Sequence, residues 1–181
     1  MSASNVAGRM TGLTLFTPVR RQWHWFLWTG LKVTRHLPFM ARHILQFNFI
    51  KFVRWTVVPG LDGEKLHYPY LFFESNFDGP WQHYIDAFAY VIPKDIRFVW
   101  GRGIHFPYPP PAEPLKAWIA RNSMEGGHYY CAYPHASTRM CKGALEVRKD
   151  FQKLLAGAEA QSPEEFKAAY ELFLTETQAH L

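Results

Sequence analysis

From Tyr70 to Phe77 the segment YLFFESNF alternates with a period of two: Leu71, Phe73, Ser75 and Phe77 on one side, Tyr70, Phe72, Glu74 and Asn76 on the other. That period belongs to a β-strand with unlike faces. Asp78-Gly79-Pro80 then turns the chain into PWQHYIDAFAYVI, where Trp81, Tyr84, Ile85, Phe88 and Ala89 fall on one helical stripe. Proline in a first turn is compatible with helix, because its missing N–H would be unpaired there anyway. A strand that feeds an amphipathic helix through a tight turn buries its apolar side under that helix, which sets a mixed α+β architecture.

The remaining elements follow from the same patterns. FNFIKFVRWTVV reads as a strand antiparallel to YPYLFFESNF across the connection PGLDGEKLH. DIRFVWG and HYYCAY read as further strands, and EPLKAWIARN as a short helix entered at Pro114. Ser137 caps a helix over TRMCKGALEVRKDFQKLLA, ended by Gly157, while Ser162, Pro163 and Glu165 form a capping box for the last helix. The order β-β-α-β-(short α)-β-α-α matches a ferredoxin-like βαββαβ unit with its last strand moved to the front. The expected fold is therefore a circularly permuted ferredoxin-like ββαββα core at 47–157, with helices on one face of an antiparallel sheet. An N-terminal amphipathic arm would occupy 1–46 and a C-terminal helix 158–181. The second sheet face needs a cover, from the arm, the final helix or a second copy packed sheet to sheet as a homodimer.

Charge is unevenly distributed. Arg9, Arg20, Arg21, Lys32, Arg35, Arg42, Lys51 and Arg54 precede the first acidic residue, Asp62, whereas the rest of the chain holds 12 basic and 15 acidic residues. Trp23, Phe26, Leu27, Gly30 and Leu31 recur at helical spacing within that basic stretch, accompanied by Trp25 and Trp28. A basic, aromatic, acid-free segment fits an anionic membrane surface or a membrane-protein complex. The same aromatics also suit packing on the core. Nucleic acid fits less well, because bulky Trp and Phe outnumber Arg and Lys there. WHWFLWTGLKV is about half of the roughly 20 residues needed to span a bilayer. With no convincing secretory signal and only Cys131 and Cys141, the expectation is reduced thiols and a cytoplasmic, peripheral membrane setting.

Three groups of residues could carry chemistry. Glu74 and Asn76 end the alternating strand on its second face, with Arg54 of the neighbouring strand as the best partner for the carboxylate and Arg97 and Arg102 as others. One reading is a structural ion pair with Asp78 capping the next helix. The other is a catalytic group of Glu74, Arg54 and His105 or His128, with Asn76 and Arg102 as anchors. GRGIHFPYPPP, residues 101–111, is a stiff loop that could serve as a lid. His135 and Arg139 flank a helix start able to hold an anion. No HExxH or HxxxH spacing is present, and no metal ligand set is assigned.

The segments FVRWTVV, LFFESNFDG, YIDAF and YYCAYP resemble a poorly characterised bacterial family with the pattern LLFeSNFdG…YidaF…aYP, over roughly residues 47–155. More distantly, the strand pattern resembles the ferredoxin-like dimeric α/β-barrel superfamily of dye-decolourising peroxidases and chlorite dismutase-like proteins. That resemblance implies haem held by a helical histidine with Arg or Asp nearby. The helix from Thr138 to Ala156 contains no histidine, which disfavours haem here. The leading expectation is an accessory protein whose arm docks on a membrane while its core binds a small ligand or partner. The alternative is a peroxidase-like enzyme using the pocket around Glu74 and Arg54.

Overall fold

The computed structural model describes residues 5–34, 46–125 and 128–180; Arg35 and Arg42 lie outside them. The chain divides into two compact units, Met1–His135 and Ala136–Leu181.

The first unit is an antiparallel sheet covered on one face by helices. Its elements are β1 (Val6–Ala7), β2 (Met10–Pro18), α1 (His24–Thr34), β3 (Ile50–Leu61), β4 (Glu64–Asp78), α2 (Trp81–Val91), α3 (Pro93–Trp100), α4 (Ala112–Asn122) and β5 (Ser123–Met124). The strand order is β1-β2-β4-β3, with β5 pairing on β2. β3 and β4 meet across Asp62-Gly63, both at positive φ (50° and 86°). Asp-Gly in this conformation matches the twist of a two-residue hairpin, so both strands run through what the sequence reads as a long loop.

Several expectations change. The mixed α+β class with an antiparallel sheet stands, and within residues 1–46 β2 belongs to that sheet: it lies between β4 on one side and β1 and β5 on the other. Leu13 and Leu15 of β2 are fully buried. DIRFVWG forms α3, because Pro93 starts a helix and Ile96 and Trp100, one turn apart, both enter the core. Residues 128–133 join no strand. The permuted ββαββα order, which counted both segments as strands, is not built from them. Asp78 closes β4 opposite Met10, and the residue at the start of α2 is Pro80, without a side-chain cap.

The covered face sets the core. Leu15, Phe73 and Trp55 lie side by side in register, as do Leu13, Ser75 and Val53. Phe73 meets the Trp100 ring at 5.0 Å, and Tyr84 of α2 stacks on Phe77 at 3.9 Å. Ser75 is the small residue that admits Tyr84: the tyrosine hydroxyl donates to Ser75 Oγ (2.8 Å), which donates to the Phe52 carbonyl (3.1 Å). Burial first, offset in part by that bond, pushes the Tyr84 hydroxyl well above its ordinary range.

The second unit is a hairpin of α5 (Thr138–Ala158) and α6 (Pro163–Thr177). Ser137 Oγ accepts from the Met140 N–H at 3.1 Å, and Ser162 with Glu165 forms the full capping box. The backbone N–H of Ser162 holds the Glu165 carboxyl below its usual range.

Candidate functional site

Two surfaces of the first unit gather the expected residues. The first is the open sheet face. Cross-strand register sets Thr14, Glu74 and Arg54 in one rung, with Phe16, Phe72 and Thr56 in the next. Arg54 Nη2 donates to Glu74 Oε2 at 2.9 Å, with side-chain exposures of 63% and 33%. Such a pair is solvated, so neither charge is stranded in an apolar wall. Beneath it, the Arg54 guanidinium sits 5.3 Å from the Phe72 ring centre, and Phe72 meets Phe16 edge-on at 5.0 Å. At the far end of the face Gly12 lies opposite Asn76, and the Tyr129 ring lies over the glycine. A Cβ on residue 12 would approach Tyr129 Cε2 to 3.2 Å, so glycine is what lets the ring settle there. Burial, with lesser contributions from Cys131, Asp78 and Glu74, raises the Tyr129 pKa.

The remaining groups expected around Glu74 are elsewhere. His105 is exposed on the loop after α3, and His128 is exposed in the segment leading to Tyr129. Among the described residues no hydrogen bond or ion pair joins either histidine to Glu74. Arg102 stacks 4.3 Å from the Trp23 ring centre. His135 and Arg139 fall in different units, His135 exposed at the end of the first and Arg139 exposed in the first turn of α5. The proline-rich loop is pinned: Arg97 donates to the Pro109 carbonyl (2.7 Å), Tyr108 to that of Gly101 (2.7 Å) and Trp118 Nε1 to that of Ile104 (2.9 Å). It is built as a strut beside α4.

Leu13, Phe73, Tyr84, Trp100 and Trp118 help line a wholly apolar cavity of about 10 Å³, close to the lower limit for one water. Among the described residues no three His, Cys, Asp or Glu side chains are grouped to hold a metal ion. α5 carries no histidine, and this core cavity is too small for a haem group.

The second surface is the outer side of α1. Arg21, in the 3-10 turn Arg21–Trp23 that leads into the helix, donates to the carbonyls of Leu66 and His67 and ties the helix start to β4. Leu27 is buried, and Phe26 packs between Trp23 and Phe98. The opposite side of the helix shows Trp25 at 60%, Trp28 at 50% and Val33 at 48% exposure. Lys32 Nζ lies 3.5 Å over the Trp28 ring, and Arg20 is exposed just before the helix. The aromatics thus divide: Trp23, Phe26 and Leu27 pack inward, while Trp25 and Trp28 face water.

Comparison with known proteins yields no relative: no family model, curated protein or solved structure matches this chain. Among the described residues no helix is long and apolar enough to cross a membrane.

Proposed function

We propose that the protein docks peripherally on an anionic membrane surface through the outer side of α1, and that its open sheet face is the surface on which the docked core meets a ligand or partner. The observation that carries this reading is the stripe Trp25, Trp28 and Lys32, at i, i+3 and i+7 on a helix whose other side buries Leu27. An indole has a large apolar body and one N–H, and two of them facing water on a rigid helix suit the headgroup boundary of a bilayer. Lys32, Arg20 and Arg21 place positive charge around them, with no Asp or Glu anywhere before Asp62.

Support for the enzyme reading is weaker, because Glu74 is already held by Arg54 on an open surface. Flotation with phosphatidylcholine vesicles, with and without phosphatidylserine, tests the proposal. The account expects binding that needs the anionic lipid, falls with added salt, and drops at least about tenfold in the double variant Trp25→Ala, Trp28→Ala. Binding that is absent with anionic vesicles, or unchanged in that variant, would refute it.

A further inference from the structure

We infer that the helical hairpin of α5 and α6 is a homodimerisation module in which the hairpins of two chains pair as a four-helix bundle, each α5 beside the α6 of the other copy. Along α5, Met140, Ala144, Val147, Phe151 and Leu155 recur at intervals of three and four, which places them on one stripe. On α6, Tyr170 and Leu174 lie one turn apart. Ring contacts join the two stripes into one face: Phe151 meets Phe173 at 5.8 Å, and Phe173 meets Tyr170 at 6.2 Å. Yet Met140, Phe151, Leu155, Tyr170 and Leu174 are each 41–50% exposed. The pairing of two helices alone buries too little to hold such a face in water, and antiparallel pairs of this kind close by adding two more helices.

Charge selects the occupant and the order. α5 carries Arg139, Lys142, Arg148, Lys149 and Lys153 against Glu146 and Asp150. α6 carries Glu164, Glu165, Glu171 and Glu176 against Lys167. The hairpin is thus one basic helix beside one acidic helix, and the surface that complements it is another copy of itself. On the helical wheel Arg148 borders the α5 stripe, and Glu171, 4.0 Å from Lys167 one turn earlier, borders the α6 stripe, each on the side away from its own partner helix. In the order α5, α6, α5, α6 around the bundle every neighbouring pair joins basic to acidic, and Arg148 faces Glu171 of the other copy. The alternative order sets α5 beside α5 and α6 beside α6, like charge against like. The favoured order has its two-fold axis along the bundle, so both α5–α6 loops lie at one end.

Sedimentation equilibrium of the full chain, with spin labels on Gln161→Cys in a Cys131→Ser, Cys141→Ser background, tests mass and order together. The account expects twice the 21.1 kDa chain mass. It also expects label sites about 14 Å apart across a bundle of ordinary interaxial spacing. Leu155→Glu with Leu174→Glu alters only exposed positions; it should leave helix content unchanged and yield a monomer. Sites separated by about the 30 Å length of the 21-residue α5 would overturn the charge-selected order. A monomer at every concentration, or a dimer that survives the Glu pair through the open sheet face, would overturn the proposal.

Discussion

β4 and α1 are both two-sided elements, and their outward sides differ. On β4 the outward residues find partners within the sheet: Glu74 is held by Arg54, and Phe72 is capped by the same guanidinium and by Phe16. On α1 the outward side holds two indoles at 60% and 50% exposure, Trp25 edge-on to Phe26 at 6.3 Å and Trp28 beneath the Lys32 ammonium. The inward sides are alike, with Phe73 and Leu27 both at 1%. Exposure alone does not mark a docking surface; exposed apolar bulk that its own fold leaves uncovered does.

Substitutions can break that contrast. The largest stability loss should follow Phe73→Ala, about 3–5 kcal/mol in denaturant unfolding, because the ring is enclosed by Trp55 and Trp100. Tyr84→Phe removes one buried hydrogen bond while Ser75 keeps its bond to the Phe52 carbonyl, and should cost about 1 kcal/mol at neutral pH. The same variant carries a pH signature. Because the folded Tyr84 pKa is raised above the ordinary 10.0, its contribution is intact below pH 10 and is lost as pH rises beyond it, where only the unfolded chain ionises. Tyr84→Phe should flatten that alkaline decline in unfolding free energy. Glu74→Gln should cost only about 0.2–1 kcal/mol, since the pair is solvated; a loss of 3–5 kcal/mol would mean a desolvated pair and would erase the distinction between the two sides of β4. The smallest effect on stability, within about 0.5 kcal/mol, should come from Trp25→Ala with Trp28→Ala, both half-exposed or more.

The legible parts of the sequence were those with strong local signals. The alternation of β4, the apolar stripe of α2 and the caps at Ser137 and Ser162 each state their element within a few residues. β2 was hidden because MTGLTLFTP alternates leucine with threonine and glycine. Its buried threonines donate to distant carbonyls, Thr11 to that of Gly79 and Thr17 to that of Leu71, 68 and 54 residues away. α3 was misread because Ile, Phe and Val favour strands, although Pro93 followed by Ile96 and Trp100 held the helical spacing. For the candidate site, the pairing of Arg54 with Glu74 could be read from adjacent strands, but its solvation could not, since burial depends on what covers the second face. The division of α1 into a packed and an exposed side likewise depends on Phe98, which meets Phe26 and is contributed by α3, the helix that the pattern concealed.

Tryptophan quenching by brominated lipid in phosphatidylserine-containing vesicles tests the membrane claim most directly, because it reports which indoles reach the bilayer. The account predicts strong quenching in the unaltered protein and loss of that quenching in Trp25→Ala, Trp28→Ala, with Trp23, Trp55, Trp81, Trp100 and Trp118 remaining as unquenched emitters. Quenching that persists in the double variant, or none in the unaltered chain, would contradict it.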